Sequence, residues 1–204
     1  MNPAAQTLQT PPFAPEDQAR AGYYALLARL FYAGPDRQLL DAIAAAEAIE
    51  GESALARAWG NLASAARAAD PAAACLEYDE VFIGTGKAEV TPYATHYLAD
   101  TGREKILAGL RQELLELGLS RVARAHEPED HIAALFEVMR HLISRGAGEV
   151  GLEKQKQFHA RYLDGVPRRL CDAILANDKT DFYKRVADFT RVFLEVESES
   201  LKVF

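Results

Sequence analysis

The sequence predicts a single all-α domain, and three observations support this prediction. Apolar residues recur every three or four positions along most of the 204-residue chain, which is the spacing of one helix face. The strict alternation expected of strands does not compete with this pattern. Hydrophobic residues are 49% and charged residues 26% of the chain, as in ordinary globular proteins. We therefore expect eight or nine helices around one core.

The first four helices have recognisable ends. Residues 1–14 have neither a basic region nor a continuous apolar region, so we expect a flexible leader rather than a secretory signal. Pro15 suits the first position of a helix, and the acidic residues after it suit the helix dipole. Asp70 is a typical cap for the fourth helix. The four helices are predicted to stop near Gly34, Gly51, Asp70 and Gly84.

A loop interrupts the helical pattern near residues 84–97. Its sequence, GTGKAEVTPYATHY, contains two glycines and a proline, so we expect an ordered loop with room for a short helix at its end. Thr101 and Glu104 match a capping box that opens the fifth helix. The sixth helix is predicted to begin near Pro128, and three further amphipathic patterns complete one domain over residues 15–204.

The charge and the cysteines narrow the classes of function. A net charge of −7 argues against binding to nucleic acid or anionic lipid and favours a basic partner. Cys75 and Cys171 have no metal-site or redox spacing, so we expect two reduced, buried thiols. No apolar run reaches the roughly 18 residues that a transmembrane helix needs. We therefore expect a cytoplasmic protein.

The densest group of ionisable residues is HEPEDH, at residues 126–131. A zinc-protease helix requires H-E-x-x-H, so that two imidazoles four positions apart share one face. Here the second histidine comes one position too late, and Pro128 would disturb a helix running through the motif. This spacing argues against a metal site. One alternative remains open, a helical metal-dependent hydrolase whose site combines His96, His126, Glu127 and His131 in three dimensions.

Other catalytic motifs are incomplete. The segment GTGK resembles the end of a P-loop, but Val81 stands where glycine is required and Ala88 where a hydroxyl is required. There is no G-x-S-x-G, and neither cysteine has a histidine nearby in the sequence. We therefore expect no enzymatic turnover, no metal and no cofactor.

HEPEDH also has a purely structural interpretation as a helix start. Glu127 would cap the helix, Pro128 would occupy its first position, and Glu129 and Asp130 would favour its dipole. On such a helix Asp130 lies opposite the apolar face, so replacing it by asparagine should cost only about 0.5 kcal/mol. His131 lies at the border of that face and should be half-buried.

Three stretches occur in order along the chain: EYDEVFIGTGKAEVTPYATHY, HEPEDHIAALFEVM, and QKQFHARYLDGVPRRL followed by DFYKRVADFTRVFL. The first has an aromatic residue before Phe-x-Gly and then a loop with proline and aromatics. The second contains an intact E-P-x-D-H signature. Together, over residues 20–197, they resemble the TorD/DmsD family of redox-enzyme maturation chaperones. The chain departs from the family pattern at Tyr93, where the aromatic is not tryptophan, at Ala94, and at Tyr162–Leu163, which replaces His-Leu.

The resemblance implies a cytosolic, non-enzymatic protein, a monomer or homodimer, that binds the twin-arginine signal peptide of an apo-molybdoenzyme. It would hold this client until cofactor insertion and export, with the client's mature part as a further candidate for contact. Acidic residues near 77–80 and 127–130 would receive arginines, and aromatic residues the apolar segment. For Tyr78 and Phe82, core packing fits the spacing equally well. The predicted binding residues are Tyr78, Phe82, Pro92, Tyr93, Tyr97, Glu127, Asp130 and His131.

Overall fold

Helices make up the regular secondary structure of the residues that the structure describes. The computed structural model describes residues 14–84, 86–120, 127–145 and 148–203. Within these ranges the all-α prediction is confirmed, and the short helix expected at the end of the loop, α5, raises the helix count above the expected eight or nine. A five-residue π-helical turn, Asp79–Ile83, continues α4. The ten α-helices are α1 (Pro15–Tyr32), α2 (Arg37–Ala45), α3 (Ala54–Ala68), α4 (Pro71–Tyr78), α5 (Ala94–Leu98), α6 (Arg103–Glu116), α7 (Ile132–Arg145), α8 (Glu149–Tyr162), α9 (Val166–Leu175) and α10 (Phe182–Val203).

The centre of the fold is the pair α1 and α7, which pack along each other. Phe136 of α7 lies between two rings of α1, with ring centroids 5.9 Å from Tyr24 and 6.0 Å from Phe31. Phe193 of α10 contacts Tyr24 edge-on at 5.0 Å. Tilted and edge-on contacts are the favoured geometries of aromatic pairs. Interlocked rings therefore hold α1, α7 and α10 in one core.

α10 connects this centre to the remaining helices, because it also packs against α3 and α9. Phe189 of α10 contacts Trp59 of α3 at 5.2 Å and Tyr23 of α1 at 5.3 Å. The buried Tyr183 hydroxyl donates to the backbone carbonyl of Leu30, 2.8 Å away. The last helix, α10, therefore packs against both α1 and α3.

Polar residues define several helix starts, and one prediction here was wrong. The side chains of Asp36, Ser53 and Asp70 each accept a hydrogen bond from a backbone amide in the first turn that follows, as was predicted for Asp70. The capping box at Thr101 does not form. α6 begins at Arg103 after Gly102, whose φ of 73° lies in the left-handed region that glycine accommodates. Thr101 consequently stands one position too early to cap the helix.

Glu77, which the sequence suggested as part of an acidic binding surface, instead caps a distant helix. Its carboxylate accepts hydrogen bonds from the backbone amides of Asp181, Phe182 and Tyr183 at 2.7–3.1 Å. These amides belong to the start of α10, where a carboxylate also suits the helix dipole. Glu77 therefore joins α4 to α10.

A buried ion pair joins α1 to α10. The Arg20 guanidinium donates to both carboxylate oxygens of Glu197, at 2.7 and 3.0 Å, and Glu197 is almost fully buried. Asp17 and Gln155 accept further hydrogen bonds from the same guanidinium. A buried carboxylate is tolerated only when it is paired and hydrogen-bonded in this way. The first and last helices are thus tied together by charge as well as by aromatic packing.

The two cysteines are free thiols, as predicted, but only Cys171 is fully buried, and Cys75 is half-buried. None of the described helices combines the length and the apolarity that crossing a bilayer requires. Of the predicted flexible leader, residues 1–14, only Ala14 lies within the described ranges.

We predict that Arg20→Met lowers the free energy of unfolding by about 3–5 kcal/mol, because it leaves the buried Glu197 carboxylate without its cation. The double variant Arg20→Met with Glu197→Leu should recover much of this loss, since it removes both charges. Lys202→Met is the control: Lys202 pairs with Glu199 at the surface and should matter little. Urea unfolding measures all three variants. Equal destabilisation by Arg20→Met and Lys202→Met would contradict the structural role of the buried pair.

Candidate functional site

The E-P-x-D-H motif precedes a helix but does not form its first turn. α7 begins at Ile132, so the prediction that a helix starts at Glu127 or Pro128 was wrong. The imidazole of His131 explains the later start, because its Nδ1 accepts a hydrogen bond from the backbone amide of Ala133 at 3.2 Å. This is the contact that a capping side chain makes with the first turn of a helix.

Asp130 is buried, contrary to the expectation that it faces solvent. Only 4% of the residue is exposed, and its Oδ2 accepts a hydrogen bond from the Thr95 hydroxyl at 2.6 Å. The same oxygen lies 3.3 Å from the backbone amide of Thr95, which belongs to the first turn of α5. Asp130 therefore caps a helix 35 positions earlier in the chain rather than the helix that follows it.

Backbone hydrogen bonds join the same two segments. The amide of Ala94 donates to the carbonyl of Asp130, and the amide of Ile132 donates to the carbonyl of Pro92, both at 2.8 Å. They form an isolated antiparallel bridge between Tyr93 and His131. The end of the predicted loop is thus held against the start of α7, and the start of α5 against the motif.

Tyr93 connects this junction to the first carboxylate of the motif. Its hydroxyl donates to Glu127 Oε2 at 2.5 Å, and its ring meets the imidazole of His131 edge-on at 5.5 Å. Burial, and to a smaller extent Glu127, raises the pKa of Tyr93 to about 12, so the phenol remains a donor at neutral pH. The orientation of Glu127 therefore depends on the position of the loop.

The surroundings of His131 favour its neutral form. Only 3% of the residue is exposed, and burial lowers the pKa of its imidazole, against a smaller raising effect of Glu127 and Asp130. A neutral ring also matches the hydrogen bond from Ala133, which needs an acceptor nitrogen. The expectation that His131 is half-buried was wrong.

The residues named for the predicted aromatic groove differ in burial. Tyr78, Phe82 and Pro92 are buried, and the Tyr78 hydroxyl donates to the carbonyls of Phe31 and Tyr32. Core packing, the alternative that their spacing allowed, is what the structure shows for Tyr78 and Phe82. Tyr97 is half-buried, and its ring lies beneath the Arg169 guanidinium at 5.6 Å. Of the predicted aromatic residues, Tyr93 and Tyr97 alone keep partial exposure.

A groove with a volume of about 820 Å³ runs along α1 and α7, and Leu39 of α2 and Leu114 of α6 also line it. Alanines of both helices line it together with the larger apolar side chains of Leu26, Tyr32 and Val138. Glu127, Pro128, Glu129 and His131 line the end nearest the motif. Sequence reasoning missed this groove, although small residues recurring on both helices were the signal that could have revealed it: Ala25, Ala28, Ala133 and Ala134.

The hydrolase alternative finds no support in the described part of the chain. No three His, Cys, Asp or Glu side chains converge there as a metal site would require. His96 is exposed on α5, whereas His131 is buried beside α7. His126, the fourth residue of that alternative besides Glu127, lies outside the described residues.

We predict that Asp130→Asn lowers the free energy of unfolding by about 2 kcal/mol, because it weakens a buried charge-assisted hydrogen bond. This loss is several times the roughly 0.5 kcal/mol expected for an exposed residue that only interacts with a helix dipole. Thr95→Val should cost about 1–2 kcal/mol, because it removes the donor of the same hydrogen bond. The double variant should lose less than the sum, since both changes remove one interaction. Asp100→Asn, at an exposed position, is the control. Strictly additive losses in urea unfolding would show that Thr95 and Asp130 act independently.

We predict a pH dependence of stability that involves His131. Because its pKa in the folded protein lies below the ordinary 6.5, the unfolded chain binds a proton first as pH falls. The free energy of unfolding should therefore decrease as pH falls through 6.5 towards the folded pKa. The buried His159 contributes in the same direction. His131→Asn keeps a capping acceptor but does not titrate, so it should flatten the dependence measured by urea unfolding between about pH 7.5 and 5.5. An unchanged slope would exclude this role of His131.

Comparisons with known proteins agree with the resemblance inferred from the sequence. A family model described as nitrate reductase delta subunit matches residues 50–172. A chaperone protein TorD of Shewanella loihica is 28% identical, with 92% of this chain and 95% of that protein covered. A chaperone protein TorD of Escherichia coli O81 is 26% identical over 89% of this chain and 96% of its own length. A third, from Aliivibrio fischeri, is 26% identical over 61% of this chain and 62% of its own. The chain therefore belongs to the nitrate reductase delta subunit family of TorD-like proteins.

Proposed function

We propose that the protein is a cytoplasmic maturation chaperone that binds the twin-arginine signal peptide of an apo-molybdoenzyme in the groove between α1 and α7. It holds this client until the cofactor is inserted and export can proceed, and it acts by binding, without turnover. Two observations support the proposal: family membership with TorD chaperones as relatives, and an apolar groove that ends at the E-P-x-D-H motif. The proposed binding mode rests on the groove.

The shape of the groove suits a helical apolar segment. Alanines on α1 and α7 allow another backbone to approach the two helices closely, while Leu26, Tyr32 and Val138 supply apolar contacts. From His131 to His141 the groove follows α7 for ten residues, or about 15 Å. This length accommodates roughly ten residues of a bound helix, in the helix-in-groove manner. A signal peptide provides such a segment after its arginines.

The charges at the motif end suit the basic part of the same peptide. Glu127 and Glu129 line that end of the groove. Tyr93 donates to Glu127, and Arg111 donates to Glu129 at 3.0 Å, so both carboxylates are held in defined positions. Arginine can bind a carboxylate through two parallel hydrogen bonds, whereas lysine cannot. We therefore propose that the client's arginines bind beside Glu127 and that its apolar segment lies along α7.

In this proposal the motif residues have separate roles. Glu127 faces the client, whereas Asp130 and His131 are buried and hold α5, the loop and α7 in place. Tyr93 acts through its hydrogen bond to Glu127 and through the small part of its ring that is exposed. Changes at Asp130 then affect client binding indirectly, through the position of Tyr93.

We predict that filling the groove weakens client binding without unfolding the protein. Ala25→Phe and Ala134→Phe place a large side chain on half-buried positions that line the groove, so each should weaken affinity at least tenfold. Ala160→Phe, on an exposed position of α8, is the matched control and should bind normally. Calorimetric titration with the signal peptide of the molybdoenzyme encoded beside the gene measures these affinities.

The client side supplies a second set of controls in the same titration. Replacing both client arginines by lysine should reduce affinity, and high salt should weaken the arginine contribution more than the apolar one. Full affinity of the Ala25→Phe and Ala134→Phe variants would move the binding site away from the groove. Equal binding of the signal peptide and of a scrambled peptide with the same charge would exclude signal-peptide recognition.

A further inference from the structure

A second cavity opens at the surface where the end of α5 meets α6 and the end of α8. Its volume is about 340 Å³, which falls within the roughly 300–1,000 Å³ of small-ligand sites. None of its lining residues belongs to the groove along α1 and α7. We call this cavity the α5–α6 pocket, and its lining residues are Leu98, Ile106, Gly109, Arg161 and Tyr162.

Two arginines bind the end of α5 beside this pocket, and we call them the α5 arginine pair. The Arg169 guanidinium donates to the carbonyl of Tyr97 and lies over the ring of the same residue, 5.6 Å from its centroid. The Nε of Arg103 donates to the carbonyl of Ala99 at 2.9 Å. Leu98, which lines the pocket, stands between these two carbonyls in the chain. Because the end of a helix leaves carbonyls without intrahelical partners, the backbone holds both guanidinium groups next to the pocket.

Each guanidinium of the pair keeps two neighbouring donors for a ligand. Arg103 uses Nε, which leaves Nη1 and Nη2, and Arg169 uses Nη1, which leaves Nε and Nη2. Asp100 and Glu104 are close to Arg103 in sequence, but within the described chain neither arginine of the pair forms an ion pair. Two parallel N–H donors fit a carboxylate bidentately. The α5 arginine pair therefore presents two carboxylate-binding edges whose positions are already fixed.

Other arginines of the chain lack this combination of features. Arg57 and Arg67 of α3 also donate to backbone carbonyls, but they are ten positions apart, about 15 Å along the helix. Neither of them lines the α5–α6 pocket or the groove. Arg161, inside the pocket, donates to Glu113 at 2.5 Å, so its charge is already compensated. Guanidinium groups without an acidic partner therefore coincide with an apolar pocket at the end of α5.

The pocket itself has room for an apolar side chain. Leu98 and Ile106 are half-buried, so both still expose apolar surface that a ligand can cover. The wall formed by α6 is open at Gly109, because a Cβ built there meets no atom within 4 Å. An occupant of the whole surface therefore combines one apolar group with negative charge beside it.

We propose that the α5–α6 pocket and the α5 arginine pair dock an acidic segment of a partner protein. One aliphatic or aromatic side chain of that segment enters the pocket, and carboxylates next to it bind Arg103 and Arg169. Charge complementarity selects this occupant. Nucleic acids and anionic membranes present many phosphates and are repelled by the net charge of −7, whereas two arginines suffice for a pair of carboxylates. The segment has the opposite charge to a twin-arginine peptide, and its docking does not rest on the proposed function.

The test uses the full chain and a short synthetic peptide with glutamates on both sides of a single phenylalanine. One control peptide carries serine in place of the phenylalanine, and another carries glutamine in place of the glutamates. Calorimetric titration at low salt should show binding of the acidic peptide and about tenfold weaker binding, or less, of both control peptides. Backbone amide shifts should concentrate at residues 97–109 and 161–169.

Filling the pocket tests the apolar contact. Gly109→Leu places a side chain in the pocket and should weaken affinity for the acidic peptide at least tenfold. Gly60→Leu is the matched control, since Gly60 is an exposed glycine inside α3 where an added Cβ also meets open space. It should bind the peptide normally. Equal affinity of these two variants would overturn the proposal.

Replacing the arginines tests the charged contact. Arg103→Gln combined with Arg169→Gln should weaken affinity for the acidic peptide at least tenfold, whereas Arg57→Gln combined with Arg67→Gln should leave it unchanged. The unfolding midpoint of each variant shows that it remains folded. Full affinity of the Arg103→Gln, Arg169→Gln variant would contradict the proposal, as would amide shifts confined to the groove or an acidic peptide that does not bind. Displacement of the peptide by inorganic phosphate, or binding of anionic lipid vesicles in its place, would assign the surface to a phosphate ligand and equally overturn it.

Discussion

A buried carboxylate joins two parts of the chain that lie 35 positions apart, and the arrangement around the groove depends on it. Asp130 accepts hydrogen bonds from the side chain and the backbone of Thr95, while its carbonyl accepts one from Ala94. Leaving a buried carboxylate without its donors is costly, so α5, the preceding loop and the start of α7 must order together. Once they do, Tyr93 is fixed, and its hydroxyl fixes Glu127 at the end of the groove.

Because of this constraint, some residues of one short motif hold the surrounding structure in place, whereas others line the groove. The side chains of Asp130 and His131 make internal hydrogen bonds at the starts of two helices, and both residues are almost completely buried. Glu127 and Glu129 line the groove together with alanines of α1 and α7. The loss of a motif residue can therefore change binding by two physical routes, through contact or through position. Stability measurements on the Thr95–Asp130 pair distinguish these routes because they require no client.

Much of the fold follows from local pattern. The 3.6-residue period and the glycine and proline breaks placed most helices correctly, and Asp70 caps α4 as its sequence position indicated. The capping box at Thr101 failed because Gly102 adopts the left-handed conformation and starts α6 itself. For Tyr78 and Phe82 the helical spacing could not separate a core face from a binding face. Both are buried because α1 and α10 cover them, which is a property of neighbours distant in sequence.

The sequence by itself determined the helical class, the order of the elements and the family, because periodicity and short motifs are properties of neighbouring residues. The partners of charged side chains were decided only by tertiary structure. Glu77 caps a helix that begins at Phe182, Asp130 caps one that begins at Ala94, and Glu197 pairs with Arg20 across almost the whole chain. The groove is likewise a tertiary feature, since its lining residues on α1 and α7 come together only when these helices pack against each other. A carboxylate has the same local sequence whether it faces water, a helix terminus or an arginine, and only folding brings one of these within hydrogen-bonding distance.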